Sequence, residues 1–160
     1  WNRVRLEEAA QQEISRLERY GHPVSLIMAD LDHFKQINDQ FGHEAGDSLM
    51  RILAEQLRVS MRGCDMLARF GGDEFVMVGI GPQLQEDGDA VLEDLKSRLF
   101  SASIACVELS DGSKIDYAGA SVGMVCLMPD STDMDDALQK ADAAMYKVKA
   151  SRKQLEVVAT

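Results

Sequence analysis

Residues 66–78 read Met66-Leu67-Ala68-Arg69-Phe70, then Gly71-Gly72-Asp73-Glu74, then Phe75-Val76-Met77-Val78. Two apolar, β-forming runs joined by a Gly-Gly pair predict a β-hairpin. Its tip carries two adjacent acids, Asp73 and Glu74. A hairpin tip is exposed and fixed in place, so it can aim carboxylates at one point. Bare glycines also let a backbone approach a ligand closely. Taken alone, the same residues also suit an ordinary acidic, solvated turn.

Working outward, Val24-Ser25-Leu26-Ile27-Met28-Ala29 reads as a buried strand that runs straight into Asp30-Leu31-Asp32. Should this strand lie beside the hairpin, Asp30 would meet the Asp73-Glu74 tip. Converging carboxylates, completed by water and phosphate oxygens, make a Mg²⁺ site. The competing reading is that Asp30 or Asp32 caps the helix beginning near His33.

The remaining pattern is helical at 3–20, 33–40, 44–60 and 89–101, with Gly81–Gly88 a polar loop. Ser103–Leu109 and Lys114–Leu127 read as strands around the turn Ser110-Asp111-Gly112-Ser113. Pro129-Asp130-Ser131-Thr132 opens a last helix with Met134, Ala137, Leu138, Ala141, Met145 and Val148 on one face. This order predicts an α+β fold, a sheet covered by helices.

Composition narrows the function classes. The 160 residues suit a single domain, 1–160, and the first residue, Trp1, suggests a piece of a longer protein. The net charge of −10 disfavours nucleic acid and anionic lipid as partners. Cys64, Cys106 and Cys126 are far apart, which fits a reducing, cytoplasmic compartment rather than disulfides or zinc. No apolar run reaches membrane-spanning length, so no direct membrane contact is expected of this segment.

Four separated motifs then occur in order. They are Asp30-Leu31-Asp32-His33-Phe34-Lys35-Gln36-Ile37-Asn38-Asp39, Phe41-Gly42-His43 with Gly46-Asp47, the Gly71–Phe75 hairpin, and Ala141-Asp142-Ala143-Ala144-Met145-Tyr146. Over nearly the whole chain this resembles the GGDEF family of diguanylate cyclases, which join two GTP molecules into cyclic di-GMP and release two pyrophosphates. The resemblance implies a central five-stranded, mixed or antiparallel sheet surrounded by helices, with a ferredoxin-like core similar to the palm of nucleotide cyclases and polymerases.

It also implies roles. Asp30, the Leu31 carbonyl, Asp73 and Glu74 would hold Mg²⁺, or Mn²⁺ in its place. Asp73, Glu74 and Lys35 would be catalytic. Asn38 and Asp47 would read guanine, and a carboxylate suits the guanine N1–H and amino edge while facing a lone pair on adenine. Phe34 would offer a helix N-terminal amide to phosphate, and Lys149 and Lys153 would contact phosphates. Arg62 and Asp65, with Arg69 nearby, match an inhibitory product site for cyclic di-GMP. Catalysis would need a homodimer, each subunit bringing one GTP.

The chain departs from the family pattern at two places, the first being the earlier Asp-x-Leu-Thr segment, of whose tail only Asn2-Arg3 matches. At the second, where Gly-Arg-Asn is usual, it has Arg152-Lys153-Gln154, so a point charge replaces a planar one and a β-carbon stands at a helix-ending glycine position. Lys147, Lys149, Arg152 and Lys153 also suit simple charge complementarity at a helix C-terminus. The alternative function is a catalytically silent receptor that binds cyclic di-GMP through Arg62 and Asp65.

Overall fold

The computed structural model describes residues 3–81, 88–128 and 133–158. The strand read at the start of the first motif, β1 (Val24–Asp30), is its centre. Around it the chain forms α1 (Arg3–Tyr20), α2 (Phe34–Phe41), α3 (His43–Ser60), β2 (Met66–Arg69), β3 (Glu74–Ile80), α4 (Gly88–Ala102), β4 (Ala105–Glu108), β5 (Lys114–Tyr117), β6 (Ser121–Leu127) and α5 (Met134–Val158). Four strands pair antiparallel in the order β2-β3-β1-β6, and β4 and β5 pair only with each other.

Every residue of β1 is buried, and successive side chains enter two different cores. Val24, Leu26 and Met28 pack with Leu6, Ile14 and Leu17 of α1 and with Ala137, Ala141 and Met145 of α5. Ile27, Ala29 and Leu31 pack with Leu49, Leu53 and Leu57 of α3 and with the β4–β5 hairpin. The sheet is therefore a middle layer, which explains why β1 reads as a continuous apolar run rather than an alternating one.

The expected α+β architecture is present, but the sheet has four strands, not five. The single run read over Lys114–Leu127 is two strands, because Gly119 turns the chain with φ of 106° between β5 and β6. β5 alternates exposed and buried residues, as a one-sided hairpin does, whereas β6 begins with four buried residues in succession.

Neither Asp30 nor Asp32 caps α2; its N-cap is His33, in the left-handed region at φ 61°, with no side-chain cap bond. The start signal at Pro129–Thr132 lies outside the described residues, and Asp133 Oδ1 accepts a hydrogen bond from Asp135 N–H at the head of α5, as an N-cap does. Among the described residues no helix is long and apolar enough to cross a membrane.

Candidate active site

The register of β1 on β3 sets the site. Asp30 lies directly opposite Glu74, so the first motif and the hairpin tip meet at one end of the sheet. Directly paired residues project to the same face, which brings these two carboxyl groups together. The next rung is closed by Leu31 N–H donating to Asp73 O at 2.9 Å. Asp73 is thereby fixed beside the end of β1. Among the described residues the Leu31 carbonyl accepts a long 3.3 Å bond from Phe34 N–H, and a carbonyl oxygen has a second lone pair for another ligand.

The hairpin turn is built differently from a left-handed Gly-Gly turn. Neither Gly71 nor Gly72 is among the described glycines with positive φ. Gly71 leaves room for the Glu74 carboxylate instead, since a β-carbon there would lie 2.6 Å from Glu74 Oε2 and push that side-chain tip aside. The Glu74 carboxylate folds back over the turn.

Charge accumulates here. Burial, followed by the nearby Asp30, Asp73 and Asp142, pushes the Glu74 carboxyl above its usual range. A cluster of carboxyl groups that raises the proton affinity of its own member calls for a cation, and these oxygens are the hard donors that Mg²⁺ takes. Among the described residues no three His, Cys, Asp or Glu side chains stand close enough to form a ready-made metal cage. The Asp30 carboxylate is held instead by Lys149 Nζ, at 2.5 Å. Burial would lower the Lys149 pKa, but the Asp30 hydrogen bond and the charges of Asp30, Asp32 and Asp73 outweigh it and raise it.

Beside these acids opens a cleft of about 300 Å³, lined by Leu31, Phe34, Lys35, Asp73, Lys149 and Lys153 among others. Lys35, Lys149, Lys153 and Arg152 thus face Asp32 and Asp73 across a space suited to a polyphosphate. A second cleft, of about 320 Å³, lies along α3 and β2 and is lined by Asp47, Met50, Arg51, Leu67, Arg69 and Phe75. Asn38 reaches the same helix, its amide lying against Gly46, next to Asp47.

Arg62 and Asp65 sit elsewhere. The Asp65 carboxylate accepts from Arg62 N–H at 2.9 Å, so the pair forms a side-chain-closed turn, with no mutual salt bridge among the described residues. Both line a cavity of about 90 Å³ with Asp94 and Arg98, against the Met77–Ile80 end of β3, away from the Asp73 tip. Arg69 does not join them. Its guanidinium donates to the carbonyls of Gly71 and Gly72, at 2.6 Å for the shortest, and it lines the cleft containing Asp47.

Several residues of the site carry no motif signal of their own. Ser121 Oγ lies 2.9 and 2.8 Å from the two Asp32 oxygens. Gly79 leaves room for the Asp65 carboxylate, and Gly46 leaves room for the Asn38 amide. A glycine inside a helical pattern signals a packing reason, so Gly46 was detectable in principle. The Asp32–Ser121 contact spans 89 positions and leaves no local trace.

The comparisons with known proteins agree with this geometry. The model of the diguanylate cyclase GGDEF domain matches residues 1–154. The chain is 39% identical to the diguanylate cyclase DgcP of Pseudomonas aeruginosa over 158 residues, covering 98% of this chain and 22% of that protein, so it spans only a fraction of its relative's length. A sensory box/GGDEF family protein of Caulobacter crescentus superposes with a TM-score of 0.84 at 36% identity, covering 94% of each chain. The GGDEF domain of DgcB from Caulobacter crescentus, solved in complex with c-di-GMP, superposes with a TM-score of 0.77 at 26% identity, covering 94% of this chain and 83% of that one. The chain belongs to the GGDEF domain family of diguanylate cyclases.

Proposed function

We propose that this domain condenses two GTP molecules into cyclic di-GMP and two pyrophosphates, as a homodimer, and is the cytoplasmic domain of a longer signalling protein. The observation that carries this reading is the β1–β3 register, which sets Asp30 opposite Glu74 and ties Leu31 to Asp73 beside a lysine-lined cleft.

In this reading Asp30, the Leu31 carbonyl, Asp73 and Glu74 hold Mg²⁺. The bound ion supplies charge neutralisation of the triphosphate and a more acidic 3′-hydroxyl. Phe34 and Lys35 at the head of α2, with Lys149 and Lys153 from α5, bind and orient the triphosphate. Lys35 faces charge developing on the transferred phosphoryl group. Asn38 and Asp47 select guanine, because an adenine would leave the Asp47 carboxylate facing a lone pair.

One subunit presents one nucleotide. The 3′-oxygen of each GTP must attack the α-phosphorus of the other, forming a P–O bond as the α–β phosphoanhydride breaks, losing a proton and releasing pyrophosphate. Two such transfers close the ring, so two facing subunits are needed. The product then binds at Arg62 and Asp65 and slows turnover. Arginine can grip a guanine edge or a phosphate with two parallel bonds.

The test is to incubate the domain with GTP and Mg²⁺ over a wide range of protein concentration and resolve the nucleotides by ion-exchange chromatography. Cyclic di-GMP formed with a steep dependence on protein concentration is the expected result. Cyclic di-GMP binding without product at any concentration would point to the silent receptor instead.

A further inference from the structure

The sequence reading grouped Arg152 with solvated cations at a helix end, and the structure gives it another place. α5 does not stop at Arg152; it runs on to Val158. Arginine is a good helix former, and no positive φ is needed there. The freed side chain turns inward. Nη1 lies 3.0 Å from Asp32 Oδ2 and donates to Ala120 O at 2.8 Å. Nη2 donates to Ala118 O at 3.2 Å. The guanidinium carbon stands 4.9 Å from the centre of the Phe100 ring.

One planar group therefore ties α5 to the end of β1, to the β5–β6 link and to α4. Lysine cannot reproduce this, since the arrangement uses in-plane donors and a stacking face at once. Lys149 lies three residues earlier, on the same face of α5. The helix thus sets two cations against two acids, Lys149 on Asp30 and Arg152 on Asp32.

The pairing has consequences for Lys149. Asp32 is buried, and apart from Arg152 its described partner is the single Ser121 hydroxyl. Without the guanidinium, a buried, under-compensated carboxylate would stand one residue beyond Leu31, within the electrostatic reach of Lys149. We propose that Arg152 is a positioning residue: by occupying Asp32 and the 118–120 carbonyls, it fixes the last turns of α5 and keeps Lys149 on Asp30 at the mouth of the cleft. The inference rests on the assignment of that cleft to the GTP triphosphate only for its effect on binding; the placement of Lys149 can be read without nucleotide.

The experiment uses the 160-residue chain with ¹³Cε-labelled lysine. The Lys149 resonance is assigned by Lys149→Met and followed in Arg152→Met and Arg152→Lys. In the native protein Asp30→Asn is expected to shift this resonance, because the two side chains are paired. In Arg152→Met the resonance is expected to move and to lose its response to Asp30→Asn, while Lys96, Lys114 and Lys140 stay in place. Arg152→Lys keeps a charge but not the three contacts, so an intermediate position is expected. It also carries the test should Arg152→Met fail to fold. An unmoved Lys149 resonance in the folded variants overturns the proposal.

Binding of a non-hydrolysable GTP analogue with Mg²⁺, measured by calorimetry, gives the second arm. Arg152→Met and Lys149→Met should each weaken binding roughly tenfold, the scale of one charge-assisted hydrogen bond. The double variant should lose no more than Lys149→Met alone. Independent, multiplied losses overturn positioning through Lys149. A native chain that binds no analogue overturns the nucleotide reading of the cleft, and the resonance arm still decides the role of Arg152.

Discussion

Asn38 and Gly46 meet where α2 packs on α3, and a β-carbon on Gly46 would overlap the Asn38 side-chain oxygen. The obstacle is the tip of a side chain, not backbone, so it can move aside. Gly46→Ala should therefore keep or raise stability, because alanine is favoured over glycine inside a helix by about 1 kcal/mol. The displaced amide should cost roughly tenfold in GTP affinity, about one hydrogen bond. Thermal melts and calorimetry with a GTP analogue check both halves. Unchanged affinity would remove Asn38 from base recognition.

Asp73→Asn should lower product formation on the order of 10²–10³-fold while cyclic di-GMP still binds. The two sites lie at different ends of β3, so they should respond separately. Chromatography of the reaction and calorimetry with cyclic di-GMP measure them. Loss of both together would place substrate and product at a single site.

Arg62→Ala should relieve inhibition by added cyclic di-GMP and leave the initial GTP turnover near native. Its side chain lines the 90 Å³ cavity with Asp65 and not the cleft with Asp73. Progress curves with and without added product give the answer, and unchanged inhibition would sink the assignment.

The Glu74 carboxyl titrates above its usual value of 4.5, first through burial and then through Asp30 and Asp73. The native chain then holds a proton that the unfolded chain has released, so this group's contribution to stability falls as pH rises from 4.5 through the native value. In chelator, Glu74→Gln should melt above the native protein at neutral pH. The gap should close as pH falls towards 4.5, where the Glu74 carboxyl takes up a proton and becomes neutral, as the variant's amide is throughout. Mg²⁺ should stabilise the native protein more than the variant. Equal melting of both proteins across this pH range in chelator would show that the carboxyl cluster carries no strain.

Gly123 marks where α5 lies directly on β6, since a β-carbon there would overlap the backbone of Met145 and Ala141. Backbone cannot rotate away as a side chain can. Gly123→Ala should cost about 1–3 kcal/mol as α5 is pushed off the sheet. The shift in the urea midpoint measures it, and a midpoint within error of native would mean that the helix yields freely.

Much of this architecture was legible from local pattern. β1 was legible because a strand buried on both faces must be apolar throughout. The hairpin was legible because two β-forming runs flank glycines. The break at Gly119 was not, because Lys114–Leu127 looks equally strand-like on both sides of it and only φ distinguishes one strand from two. The cap of α2 was not legible for a related reason. Asp32 is a good capping residue by type, but Arg152 and Ser121, distant in sequence, take its carboxylate first.

Composition and short-range pattern determined the helices, the central strands, the acidic hairpin tip and the excess of negative charge, because each depends on neighbours within a few residues. Tertiary structure decided which charges neutralise one another. Lys149 reaches Asp30 across 119 positions, and Arg152 turns from a helix-end cation into a half-buried clamp. Such pairings depend on strand register and helix packing, which bring distant residues within a few ångströms, and Coulomb energy at that range is set by distance and burial rather than by order along the chain.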